Sequence, residues 1–536
     1  MAELYINGKV YTGNEKLEEA FVVDNGYFKF VGSNEDALRQ DYDEIIDLAG
    51  KFVCPGFNDS HMHLLSYGSA LMCAKLNEHT NSLKDMLDCL DNFIKDNQIP
   101  VGTWVKGRGW NQDNFTDVSR MPTRYDLDDV SKDRPIIAIR ACGHAMVVNS
   151  KALELLGITK DTKQVEGGTI GFSNNEPNGQ FFDNAMNLVY DNMPCPSKDE
   201  LKDMILLASK ALNSYGVTSS QTDDYCVYSN LDYELINEAY QELNAENKLT
   251  VRVYEQANIT SLNDLKAFIN KGHMTGVGDL MFKMGPLKML GDGSLGSRTA
   301  CLSIPYADDE STSGLLCFDS KTVEDMVMYA HENGMQIAIH AIGDKCLDVL
   351  LDAYEKALTK LPKDNHRHGV VHCQITRLDQ LEKIKQLNLH IYAQSIFLDY
   401  DIKIVYKRVG GVLASTSYAW KTLLDGGIQV SNGTDCPVEL PYALGGIECA
   451  VTRCDLHQNY GPYNPSQMFS VKEALDSYTI SGAYASFEED YKGLIKEKYL
   501  ADFVVLDRNI FEVPNNEIKN IQVLKTYLGG KCIYQK

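Results

Sequence analysis

Pro55-Gly56-Phe57-Asn58-Asp59-Ser60-His61-Met62-His63 closes an apolar run with two histidines one residue apart. On an extended strand, residues i and i+2 point to the same side, so both imidazoles face one way. Two imidazoles at that spacing suit a single first-row metal ion. Taken alone, the pair is equally compatible with one structural and one surface histidine. The rest of the chain shifts the balance. Further runs with the texture of buried strands lead to Lys288, His340, His372 and Asp435 at their C-terminal tips. Side chains on neighbouring tips converge only if the sheet closes into a barrel, and in such barrels the reactive site lies at that rim.

Eight candidate core strands, 52–58, 216–221, 249–256, 284–290, 335–340, 368–373, 389–394 and 428–434, alternate with helical stretches. That alternation predicts an α/β fold, and the count fits a (β/α)8 TIM barrel. An open doubly wound sheet shares the same strand-tip logic. One helix starts near Ser197, where Glu200 completes a capping box, and others are expected over 320–332, 345–358, 378–386 and 471–479. Residues 1–51 and 491–536 read as short strands. Asn7-Gly8 and Asp24-Asn25-Gly26 signal hairpins, and the two ends are expected to share one composite β-domain. The first barrel strand would occupy 52–63 and the rest of the barrel 197–490. Between them, 64–196 is too long for a crossover and is expected to be an inserted subdomain. Its Gly- and Asn-rich stretch from Glu166 to Gly179 reads as irregular loop.

The bulk composition narrows the partners. Fifty-one basic against 74 acidic residues give a net charge of −23, which argues against nucleic acid and anionic membrane surfaces. No apolar segment approaches the ~20 residues of a spanning helix. Nothing at the start reads as a signal peptide, so the expected location is cytoplasmic. The 14 cysteines fall at irregular distances without a CxxC pair, as reduced thiols would.

Each site residue has an ordinary alternative. Lys288, inside Gly285-Pro286-Leu287-Lys288-Met289-Leu290, is costly if charged, so a buried ion pair or a snorkelling side chain competes with chemistry. The chemical option is reaction of its neutral amine with carbon dioxide, giving a carbamate with two ligand oxygens. His340 and His372 at single strand ends would each usually be hydrogen-bonded core residues, and Asp435 could cap a loop. Together they favour Zn²⁺, with Mn²⁺ or Fe²⁺ as substitutes, over oxygen-seeking Ca²⁺ or Mg²⁺.

These motifs resemble the amidohydrolase superfamily, in the branch of metal-dependent TIM-barrel hydrolases that includes N-substituted formamide deformylase. Pro55 to His63 matches the first-strand motif. Lys288 with Asp292-Gly293-Ser294-Leu295-Gly296-Ser297-Arg298-Thr299-Ala300 matches the lysine-strand motif. His340-Ala341-Ile342-Gly343-Asp344 and Gly433-Thr434-Asp435-Cys436-Pro437-Val438 match the fifth and eighth strands. Gly493 and Ala501 to Leu506 resemble the return into the β-domain. The resemblance implies that His61, His63 and Asp435 bind one ion. It further implies that Lys288, as N6-carboxylysine, bridges to a second ion held by His340 and His372, and that some members use a single ion. His144, in Gly143-His144-Ala145, matches a position expected to face substrate. Relatives often carry Arg-Ile-Glu-His before the sixth-strand ligand, where this chain has Gly369-Val370-Val371-His372, so the surroundings of that ligand should differ.

The expected activity is metal-assisted hydrolysis of a C–N bond (amide, N-formyl or cyclic amide) in a small molecule, with Asp435 as proton shuttle and His144 aiding the oxyanion. Ester or lactone hydrolysis, or ring deamination, could use the same centre. A metal-containing binding protein without turnover would have no need of Asp435 as a shuttle. The resemblance suggests a homodimer.

Overall fold

The eight barrel strands are Phe57–Met62 (β1), Val217–Thr222 (β2), Arg252–Asn258 (β3), Phe282–Leu290 (β4), Ile337–Ala341 (β5), Gly369–His372 (β6), His390–Ala393 (β7) and Val430–Asn432 (β8). They pair in sequence order, each parallel to the next, in a computed structural model that describes every residue except Met1, Glu15, Gly143 and Ser229. Helices follow the strands, among them Ser320–Glu332 after β4, Asp344–Lys360 after β5 and Leu378–Gln386 after β6. This is the TIM-barrel architecture that the strand count predicts.

The chain forms two compact units, one of Met1–Tyr67, Ile205–Val227 and Tyr233–Lys536, the other of Gly68–Met204 and Tyr228–Asp232. In the first, β1 and β8 come together through the candidate site residues themselves. Asp435 N donates to His61 O at 2.8 Å and His63 N to Cys436 O at 2.8 Å. Thr434 N donates to Asp59 Oδ1 at 3.0 Å. A Cβ on Gly433 would stand 2.5 Å from His61 N, so only glycine lets the two backbones meet. The register then sets the rim: Asn258 lies opposite Lys288, Leu290 opposite His340, and Ala341 opposite His372.

The run read as one strand over 52–58 divides at Gly56. Phe52–Pro55 leaves the barrel and pairs antiparallel with Phe503–Leu506. That pairing belongs to a five-stranded sheet, in which Lys9–Val10 and Phe52–Pro55 join Phe503–Leu506, Val523–Leu528 and Lys531–Gln535, so both chain ends do build one sheet. Asn7-Gly8 is not a hairpin: Asn7 has φ 58°, but Gly8 lacks the positive φ that a type I′ turn needs. Glu3–Ile6 and Lys9–Val10 therefore enter different sheets. Asn25 and Gly26, at φ 50° and 83°, do make the turn between Ala20–Asp24 and Tyr27–Gly32.

In the second unit, Leu83–Asp96 packs Met86 and Leu90 with Val105, Ile136 and Trp110 in one core. The stretch read as loop between Glu166 and Gly179 is mostly β-structure, Gly168–Ser173 pairing antiparallel with Glu176–Asp183. Its turn residues Asn174 and Asn175 both have positive φ (51° and 65°), which asparagine tolerates. Among the described residues, no helix is long and apolar enough to cross a membrane. All 14 cysteines are free.

A buried charge cluster ties β4 to the C-terminal segment. Glu488 Oε1 accepts from Lys283 Nζ at 2.9 Å, and Lys492 Nζ donates to Glu488 Oε2. Burial opposes ionisation of Glu488, but Lys492 and Lys283 outweigh it and hold its carboxyl down at about 2. Glu488→Gln should cost about 3–5 kcal/mol, because it strands buried ammonium groups. Since the folded-state pKa is depressed, this contribution is complete above the ordinary glutamate pKa and is lost as pH falls toward about 2. Urea midpoints of wild type and variant, measured across that range, should converge at the acid end.

Candidate metal centre

His61, His372 and Asp435 are buried, and one ligand atom of each lies within 4.8 Å of the other two. Asp435 Oδ1 stands 3.4 Å from His61 Nε2 and 3.1 Å from His63 Nε2, yet has no aligned hydrogen-bond donor. The imidazole of His340 lies next to that of His372, with ring centres 4.4 Å apart. Lys288 is fully buried on β4. Its Nζ is 3.5 Å from Asp223 Oδ2 and makes no hydrogen bond.

The outward nitrogens are tied back. His61 Nδ1 contacts Gln256 Oε1 at 2.7 Å, His372 Nδ1 contacts Gln394 Oε1 at 2.7 Å, and His63 Nδ1 contacts Asp223 O at 2.8 Å. A carbonyl oxygen only accepts, so each Nδ1 carries a proton, and on His61 and His372, where burial disfavours the charged ring, Nε2 keeps its lone pair. The amides are themselves fixed, since Gln256 Nε2 donates to Ser60 O at 3.1 Å and Gln394 Nε2 to Tyr392 O at 2.9 Å. His340 is held in the opposite sense. Its Nε2 lies 3.1 Å from both Gly293 O and Asp292 Oδ1, which leaves Nδ1 free. Asp292 is anchored in turn by the backbone N–H groups of Cys301, Ile342 and Gly343 at 2.8, 3.1 and 2.8 Å.

Electrostatics follow from this packing. Burial and nearby Lys288 push His61 well below its ordinary pKa. Burial and nearby His340 do the same to His372. Burial works against charge on Asp435 too, but His63, His61 and His372 outweigh it and keep the carboxylate ionised. His63 goes the other way: burial disfavours its charge, yet Asp435 and Cys226 beside it raise its pKa. Asp59, on β1, is pushed up to about 7 by burial although Thr434 hydrogen-bonds to it. His372 and Asp435 also hold left-handed backbone, φ 76° and 56°, at a cost of about 1–3 kcal/mol each. Strain of this kind on two non-glycine residues persists where the surroundings impose it.

Bare imidazole nitrogens, an ionised buried carboxylate without an aligned donor and a buried amine without a hydrogen bond fit a transition-metal ion. Replacing Gln394 or Gln256 by leucine should free the ring it holds and weaken zinc binding about 10–100-fold. Competition with a chelating indicator measures this, and unchanged affinity would show that the amides do not set the tautomer.

His144 lies in the second unit, exposed, with Nδ1 3.2 Å from Asp183 Oδ1. Gly143, quoted with it above, lies outside the described residues. The sequence reading missed Asp223 and Cys226, which group with His63, each offering a ligand atom within 4.8 Å of the others. Asp223 directly follows the last residue of β2, so the strand-tip argument applied to Gln221-Thr222-Asp223 would have found it. Gln256 and Gln394 carried a signal as well, being amides inside or just after apolar strands.

The amidohydrolase family model matches residues 44–534. The chain is 32% identical to YtcJ of Bacillus subtilis (strain 168) over 545 residues, spanning the whole of both. It is 26% identical to N-substituted formamide deformylase of Arthrobacter pascens, over 99% of this chain and 98% of that one. Among solved structures, an uncharacterized metal-dependent hydrolase from Pyrococcus furiosus superposes with a TM-score of 0.80 at 30% identity, covering 96% of this chain and 100% of the other. With the barrel, the rim and these matches in agreement, the chain belongs to the amidohydrolase family.

Proposed function

We propose that this metal-dependent hydrolase cleaves a C–N bond, in an amide, N-formyl or cyclic amide group, of a small molecule. The observation that carries the reading is Asp435 Oδ1, buried, ionised and without an aligned donor among histidines whose Nε2 lone pairs are free. His61, His63 and Asp435 would hold one ion. His340, His372 and Lys288 as its carbamate would hold a second. Carbamate formation joins the neutral Nζ to the carbon of CO₂ and releases one proton, converting a buried base into an anion. The ion (Zn²⁺, or Mn²⁺ or Fe²⁺ in its place) supplies Lewis acidity that makes water ionisable near neutral pH.

The chain's own groups do the rest. Asp435 accepts the proton of the attacking water and returns it to the departing nitrogen, which must leave as a neutral amine. His144 is proposed to donate to the developing oxyanion. Its exposure and its Asp183 partner leave a ring nitrogen open for that role. Similarity to N-substituted formamide deformylase across nearly the whole chain supports the C–N assignment.

The test is a panel of N-formyl, N-acyl and cyclic amide compounds beside esters, lactones and amino-substituted rings, with metal content measured on the same preparation. Turnover confined to esters or to ring deamination would sink the C–N reading. Absence of a stoichiometric transition metal, with no activation on adding one, would sink the metal centre.

A further inference from the structure

The proposed hydrolytic centre leaves one adjacent group unused. Cys226, just beyond the tip of β2, has its Sγ 3.6 Å from His63 Nδ1 and 3.5 Å from Asp223 O. Asp223 is fully buried. Its Oδ2 accepts from Asn258 Nδ2 at 2.9 Å, whereas its Oδ1 has no hydrogen-bond partner. The Lys288 amine stands 3.5 Å from Oδ2 without hydrogen-bonding it, and a buried Oδ1 without any donor is costly unless a cation meets it. Cys226 is exposed, which opens a path for an ion from solvent.

We propose that His63, Asp223 and Cys226 form a second type of cation site, of mixed nitrogen, oxygen and sulfur character, for a borderline or soft ion such as Zn²⁺ or Cd²⁺. Thiolate ligands select such ions over hard ones. Binding forms the metal–sulfur bond and releases the thiol proton to solvent. For His63 to bind through Nδ1, the nitrogen facing the sulfur, that nitrogen must give up its proton, and the ring keeps one proton on Nε2. Asp435 Oδ1 stands 3.1 Å from that atom and has no other aligned donor. Occupancy of this site therefore withdraws His63 from the hydrolytic centre, so a thiophilic ion competes with the hydrolytic one. Only that competition rests on the hydrolase reading. Binding itself needs just the three side chains.

Cadmium titration of the full chain, followed by thiolate-to-cadmium charge-transfer absorption in the near ultraviolet, tests the site. Wild type should show one thiolate-bound equivalent. Cys226→Ser should abolish the band and weaken cadmium binding by about 10–100-fold or more, and Asp223→Asn should weaken it too. Cys142→Ser, which alters an exposed thiol of the other unit, should leave the band unchanged. A band that survives Cys226→Ser, or cadmium bound by wild type without the band, overturns the proposal. These readouts do not involve turnover. A chain that binds cadmium through Cys226 yet hydrolyses nothing would sink the hydrolase reading alone. One that hydrolyses amides without the band would sink this inference alone.

Discussion

Asp435→Asn should lower kcat by about 10²–10⁴-fold, the usual contribution of a positioned general acid–base group, or about 3–5 kcal/mol of barrier. Asparagine keeps the shape of the side chain but cannot take a proton from water. The fold should survive, because the bond that seats this residue against β1 runs from its backbone N–H to His61 O and does not involve the carboxylate. The substitution also removes the negative charge of Asp435 from His61, His63 and His372, so His63 should lose the larger part of the stabilisation that raises its pKa. Metal retention and kcat must therefore be measured together. A variant that keeps its metal and melts like wild type, yet loses kcat with little change in KM, fits a proton shuttle. Activity within tenfold of wild type, with the metal retained, would remove Asp435 from the mechanism.

How far the sequence carries this site depends on which physical constraint marks each residue. His61, His63, Lys288, His340, His372 and Asp435 were legible because polar groups at the ends of apolar runs are costly without a purpose, and all six lie at the tips of barrel strands or just beyond them. Strands such as Ile337–Ala341 and His390–Ala393 were legible because buried parallel strands are often nearly continuous apolar runs, whereas Val217–Thr222 is mostly polar. What failed was local. Gly56 divides the run read as one strand between two sheets, and Phe57 directly after it carries the apolar texture across the break. Asn7-Gly8 has the composition of a hairpin but joins strands of different sheets, a choice made by tertiary pairing with Phe52–Pro55 and not by the dipeptide. The groups that fix the histidine tautomers, Gln256, Gln394 and Asp292, could not be assigned, because their role exists only once β1, β3, β5, β6 and β7 are side by side.

Lys288 offers the widest separation between the ordinary and the chemical reading. If it is a buried ammonium paired loosely with Asp223, volume-matched Lys288→Met strands that carboxylate and should cost about 3–5 kcal/mol of stability while leaving metal content unchanged. If it is a carbamate bridging two ions, the same substitution removes two ligand oxygens and a negative charge. Activity should then fall at least about 100-fold, since even partners one bond removed from a metal command 10–100-fold, and bound metal should drop from two equivalents to one. Lys288→Ala separates the cases further, because it leaves space at the amine's position. A short carboxylate such as acetate or propionate, added in solution, can occupy that space and should restore part of both the second ion and the rate. It should do neither in Lys288→Met, where the thioether fills the gap. Intact-protein mass at neutral pH should show one CO₂ more than after acid treatment in wild type only. Two ions and full activity in Lys288→Met would leave the lysine as a packing residue, and the second metal would need another bridge.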